Sequence, residues 1–199
     1  MIVPRYALTE YEDATPDVRA IYDDYHRSTG ALRLPNWLKS LGHTGASARG
    51  YWEKTKGCLV QGALPLFLKE LVVFIVSVRN GTPYCTACHA HAALSLDPSL
   101  TFDDLHAIAR DIDGADLPAA TRAALRFAAK MADGPADVTD ADFRAIADAG
   151  FTRAQVNEIL GAIDVAVMFN TYTMGVRLEI DAEYRPFLET AGGARRAAA

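Results

Sequence analysis

The sequence is short of the features that would place it in several large classes. Three cysteines in 199 residues are an odd number, with two closely spaced, and do not make the framework of a small secreted disulfide protein. The formal net charge is −5 with no long basic run, which leaves no electrostatic footprint for nucleic acid. No apolar run approaches the ~20 residues that span a bilayer. The opening MIVPRYALTEYEDAT lacks the apolar segment of a signal peptide. These absences predict a cytoplasmic protein with no membrane and no nucleic-acid partner. No stretch sustains the alternation of a half-buried strand. No flavin, haem or nicotinamide motif is present, so no organic cofactor is expected. Half of the chain is hydrophobic, enough for a sizeable core in one domain of this length.

What the chain does have is concentrated between Glu70 and His91, ELVVFIVSVRNGTPYCTACHAH. Leu64-Pro65 opens a nearly continuous apolar segment that Asn80-Gly81 closes. Its length and flanks predict a helix near 65–80 rather than a buried strand. Thr82-Pro83 restarts the chain as N-cap and first helical residue of a helix near 83–95. Cys85 is then the third residue of that helix, where unpaired N–H groups favour a thiolate and lower a thiol pKa. Cys88 lies one turn on. At about 100° per residue, Cys85, Cys88 and His89 share a face, with His91 to one side. Glu70 is costly to bury unpaired, and it reaches His89 if the two helices pack as a hairpin. The same four side chains are metal-ligand types, but ligands bunched on one helix rarely complete a tetrahedron, so no metal is expected.

Around this hairpin the periodicity reads as helix throughout. Helices are predicted at 16–28, from Leu34-Pro35-Asn36 to about Leu41, and at 46–60. Thr101 caps a further helix that Gly114 ends, with His106 on its surface. Others run from Leu117-Pro118 to about Asp133 and over 140–149. Thr152-x-x-Gln155 is a capping box that starts the longest helix, 153–178, with Val156, Ile159, Leu160, Ile163, Val167 and Met168 facing inward. Tyr51 and Trp52 read as core residues that also suit a pocket wall, and Cys58 as a small buried apolar residue. The expected organisation is one domain, 1–199, with an N-terminal helical region over 1–62, the site hairpin 63–96, a C-terminal helical region over 97–185 and a loose tail 186–199.

The hairpin resembles the carboxymuconolactone decarboxylase superfamily, and within it the AhpD-like, peroxidase-related alkylhydroperoxidases. That family carries a Glu on one helix and, about twelve residues later, C-x-x-C-x-x-x-H at the start of the next. Glu70 matches the Glu, Cys85 the second cysteine and His89 the histidine. Asn80-Gly81, Tyr84, Leu34-Pro35-Asn36 and Phe169-Asn170 also match common residues. The family's first cysteine falls on Thr82, and Tyr84 replaces a histidine found between the cysteines in some members. The resemblance implies an all-α AhpD-like fold and a homo-oligomer, trimer or hexamer. It also implies a thiol peroxidase that takes a small hydroperoxide and is reset by an external thiol reductant. Cys85 is then the attacking thiol and Cys88 a shifted resolving thiol, or else the site uses one cysteine. Glu70 and His89 relay the proton, and Tyr84, His91 and Thr82 are auxiliaries. Two other readings stand beside it, a decarboxylase-like lyase that needs no thiols and a non-enzymatic sensor of oxidation.

Overall fold

The computed structural model describes residues 3–188. Among these, the regular structure is helical. In chain order it runs α1 Pro16–Thr29, α2 Asn36–Leu41, α3 Gly45–Thr55, a π-helical turn Lys56–Val60, α4 Leu66–Arg79 and α5 Pro83–Leu96. It continues with α6 Phe102–Arg110, α7 Ala119–Asp133, a 3-10 turn Pro135–Asp137, α8 Asp140–Asp148, α9 Arg153–Val176 and a 3-10 helix Ala182–Phe187. The expected all-α architecture is therefore present among the described residues.

The helix ends follow local chemistry. Thr101 with Asp104, and Thr152 with Gln155, form reciprocal capping boxes, the latter with N–H to oxygen distances of 2.9 and 3.3 Å. Each satisfies two N–H groups that a helix start leaves without partners. α6 stops at Arg110, earlier than Gly114 suggests, although Ile112 beyond it is still buried.

The core is organised around α4. Every residue from Leu68 to Ser77 is buried, so this helix is apolar on all sides because it has neighbours on all sides. It packs against α5, α7 and α9. α9 is 24 residues long and apolar enough by length and composition to cross a membrane, but half of its most apolar window is buried inside the fold. It lies against α4 as a core helix. Its inward stripe is Val156, Ile159, Ala162, Ile163, Val165, Ala166 and Phe169. Val167, expected inside, is 44% exposed, because the stripe that meets α4 advances through Ala166 and Phe169 instead.

Two departures from the sequence reading bear on the site. The expected helix over 46–60 changes to π-helical hydrogen bonding at Lys56, so its last turn widens beside the site hairpin. The expected loose tail begins too early. Ala182–Phe187 is helical and packs on α5, with Phe187 against His91 and Phe102 at ring distances of 5.8 and 5.5 Å. The remainder of that tail, from 189 on, lies outside the described residues. His106, expected on the surface, is half-buried edge-on to Phe74 and Phe102, and burial lowers its pKa.

Candidate active site

α4 and α5 pack as the hairpin that the site requires. The His89 Nδ1 lies 2.6 Å from the Glu70 carboxylate, and Glu70 is itself buried. A carboxylate only accepts, so Nδ1–H is the donor in this pair, and in the neutral ring Nε2 is the acceptor. Glu70 and His89 line a cavity of about 170 Å³ together with Cys85, Cys88, Tyr84 and His91. The sequence-predicted residues thus converge on one cavity, apart from Thr82.

The opposite wall is aromatic, from elements remote in sequence. Tyr25 meets Trp52 at 5.2 Å and Trp37 at 6.0 Å, and Trp37 meets Phe169 at 4.7 Å, all edge to face. Trp52 Nε1 donates to Asp24 at 2.6 Å, and Lys56 donates to the same carboxylate at 2.8 Å. Those bonds fix the wall just before the π-helical turn, whose Leu59 and Val60 complete the lining. Trp52 therefore fills both roles considered for it, core and pocket wall.

Two expectations about the helix start fail. Thr82 is the N-cap residue of α5, yet its side chain makes no capping bond. Its ψ is 99°, whereas the boxed caps Thr101 and Thr152 have 169° and 161°. The tight α4–α5 turn, in which Thr82 N–H donates to the Ser77 carbonyl at 3.0 Å, turns the threonine away from the Cys85 N–H. Cys85 is likewise not activated by its position. It is 1% exposed, and burial pushes its thiol up to about 12, against a small opposing contribution from Thr173 at 3.6 Å. Desolvation outweighs the helix-start dipole here. Cys88 is also pushed up, first by burial and then by the Glu70 charge, while the Tyr184 hydroxyl acts in the opposite sense.

Tyr184 and Asp181 were not legible in the sequence. Asp181 is buried and accepts from the Tyr84 hydroxyl at 2.6 Å and from the Asn36 N–H at 2.9 Å. The Tyr84 oxygen in turn accepts from the Trp37 N–H at 3.2 Å. This network ties α2, α5 and the C-terminal segment together. Tyr184 follows directly, beside Cys88 and with its ring 5.3 Å from that of His91. The one available signal was an aromatic pair, Tyr184 and Phe187, three apart across the boundary at which the tail was expected to begin.

Tyr84 thus acts as a structural latch, and its removal has a pH signature. Burial raises the Asp181 pKa, and the Tyr84 bond opposes that rise. A carboxyl with a raised folded-state pKa favours the fold below its unfolded value near 3.8, and this advantage is lost as pH rises through the folded value. Tyr84→Phe removes the opposing bond and orphans the Trp37 N–H. We expect a loss of about 1–3 kcal/mol in urea melts at pH 7 and a smaller loss at pH 4. Equal losses at both pH values would show that the carboxylate is not the group being held.

Among the described residues, no group of three or more His, Cys, Asp or Glu side chains is placed to hold a metal ion. A larger, open depression of about 630 Å³, lined by Arg5, His43, Tyr51 and Tyr172, contains no thiol. Its histidine is engaged with the Ala7 carbonyl at 2.8 Å. The reactive groups belong to the smaller cavity.

Residues 46–130 match the carboxymuconolactone decarboxylase family. No curated protein sequence matches the chain. Among solved structures it is similar to the AhpD core of a peroxidase-related protein from Ralstonia eutropha JMP134, with a TM-score of 0.80 and 22% identity over 92% of this chain and 95% of that one. A peroxidase-related protein from Silicibacter sp. TM1040 gives 0.75 and 24% over 92% and 95%. The debrominase Bmp8, as a cysteine-to-alanine variant in complex with 2,3,4-tribromopyrrole, gives 0.78 and 21% over 96% and 98%. The match to the carboxymuconolactone decarboxylase family spans both helices of the site hairpin, and the AhpD-like fold is shared along nearly the whole length of the chain.

Proposed function

We propose that the protein is a thiol-dependent peroxidase that reduces a small organic hydroperoxide through Cys85 and Cys88, with Glu70 and His89 as its proton relay. The observation that carries this reading is the convergence of two thiols and a 2.6 Å carboxylate–imidazole pair on one cavity. A thiolate attacks the O–O bond and becomes a sulfenic acid. The second thiol condenses with it, releasing water, and an external dithiol reduces the disulfide. Both cysteines lie on α5, and three residues along a helix separate Cα atoms by about 5 Å, inside the range a disulfide needs. The expected partners are the hydroperoxide, the thiol reductant and further copies of the chain in a trimer or hexamer.

A second reading has its own support. The cavity is small and walled by Tyr25, Trp37, Trp52 and Phe169, and an engineered apolar cavity of about 150 Å³ accepts benzene. The similar fold of Bmp8 holds a brominated pyrrole. The same thiol pair would then act as a two-electron reductant toward a halogenated ring.

The test is a thiol count after one equivalent of cumene hydroperoxide, followed by turnover with dithiothreitol. Loss of two thiols and sustained turnover support the peroxidase. Bromide release from a brominated pyrrole without peroxide turnover moves the second reading ahead. No reaction of either thiol with either compound refutes both and returns the lyase reading to first place.

A further inference from the structure

Resting on the thiol-reductase reading, the geometry points to Cys88 as the attacking thiol, with the Tyr184 hydroxyl as the donor that holds its sulfur, and to Cys85 as the resolving thiol. This reverses the order that the motif resemblance implies.

The two sulfurs have different surroundings. Cys85 borders the cavity but is only 1% exposed, with its sulfur against Thr173. Cys88 is less deeply buried, on the same cavity wall one turn along. Of the two cysteines on the cavity lining, Cys88 is the one with residual exposure. The resolving role, by contrast, needs only a neighbouring sulfur, which Cys85 has.

Cys88 also has the polar partners a nucleophile needs. Tyr184 of the C-terminal segment lines the same cavity and favours the Cys88 thiolate, and His89, next in sequence, lines it too with Nδ1 turned to Glu70. Ionisable groups from several elements act on this sulfur: Glu70 of α4, Cys85 and Tyr84 of α5, Tyr25 of α1, and Tyr184 and Asp181. In the resting state the Glu70 charge disfavours a thiolate. Once the thiol proton passes to the Glu70–His89 pair, that pair is neutral overall and the penalty falls away. The Tyr184 hydroxyl then acts as donor to the thiolate and favours it.

The chemistry balances as follows. The Cys88 thiolate attacks the distal peroxide oxygen, so an S–O bond forms and the O–O bond breaks. Sulfur is oxidised by two electrons and the peroxide reduced. The alkoxide leaves as alcohol with the proton that Glu70–His89 had accepted. The Cys85 sulfur then attacks Cys88, an S–S bond forms, and hydroxide leaves with the Cys85 proton as water. An external dithiol restores both thiols.

The test begins on the unmodified protein. Substoichiometric iodoacetamide, read by mass spectrometry of peptides carrying each cysteine, should label Cys88 first. With cumene hydroperoxide and dimedone, Cys85→Ser should trap one sulfenic acid on Cys88, while Cys88→Ser should trap none. Tyr184→Phe should move the pH midpoint of Cys88 alkylation up by about one to two units, the worth of a hydrogen bond to a charged group. A merely structural tyrosine would leave that midpoint in place. First labelling at Cys85, or a sulfenic acid on Cys85 in Cys88→Ser, overturns the proposal. If iodoacetamide labels Cys88 first but no peroxide is consumed, the assignment of the nucleophile stands and the peroxidase reading fails.

Discussion

Replacing Glu70 with glutamine should lower kcat/KM for an organic hydroperoxide by about 10²–10⁴-fold, the usual range for loss of a positioned acid–base group. The substitution keeps the shape of the side chain, and its amide oxygen can still accept from His89 Nδ1–H, so the 2.6 Å contact retains its geometry. What is lost is the negative charge that lets the imidazole accept a second proton. The same substitution has a second effect of opposite sign. Glu70 is among the causes that push the Cys88 thiol up, so removing its charge should lower the pH midpoint for alkylation of Cys88. A variant that alkylates at lower pH yet turns over more slowly separates thiolate formation from proton delivery to the leaving alkoxide. Steady-state assays with cumene hydroperoxide and an iodoacetamide pH series read the two effects. Turnover within about threefold of the parent protein, set against the cited range, would remove the relay from the mechanism.

Glu70 and His89 were legible because a helical hairpin brings residues nineteen apart into register, and both helices announce their ends with proline, asparagine and glycine. The capping box at Thr152 was legible for the same reason, since its partner is three residues away. The aromatic wall was not, because Tyr25, Trp37, Trp52 and Phe169 come from four helices and no local period links them. Tyr184 and Asp181 were hidden at the end of the C-terminal region, past the expected helix 153–178, where no period or motif singles them out. At Cys85 the local rule was present and lost: a helix-start cysteine is activated only where solvent or a charge reaches it, and here the sulfur faces Thr173 inside the core. Its neighbour one turn along illustrates the converse. Cys88 has no distinguishing position in the helix, and its surroundings come from Glu70 on the preceding helix and from Tyr184, ninety-six residues further along the sequence.

Glu158→Ala should be among the most destabilising single changes away from the thiols, because Glu158 is what makes a buried lysine tolerable. Lys69 sits on the central helix α4 and is 1% exposed. Its ammonium donates to the Gln61 carbonyl and lies 3.5 Å from Glu158 Oε2. Glu158 also accepts from the N–H groups of Ala63 and Leu64 at 2.9 and 3.0 Å, so one carboxylate satisfies both the ammonium and the loop that leads into α4. Gly62 completes the arrangement at φ 116°, where an added Cβ would fall 2.3 Å from Glu158 Oε2. Removing one partner of a buried pair costs about 3–5 kcal/mol because the remaining charge stays desolvated. The Glu158 side chain is 22% exposed, so water partly replaces it and about 2–4 kcal/mol is expected, a Tm drop of roughly 5–15 °C for a chain of this size. Lys69→Met removes the charge itself and fills a similar volume, so it should cost no more than about 1 kcal/mol. Urea and thermal melts of the two variants compare them directly, and equal losses would mean that packing, not the uncompensated ammonium, sets the cost. The pair also bears on the site. Gln61 directly follows the π-helical turn whose Leu59 and Val60 line the cavity, so freeing the Gln61–Leu64 loop should loosen that wall and lower kcat/KM for cumene hydroperoxide more than for hydrogen peroxide, which needs no wall to orient it.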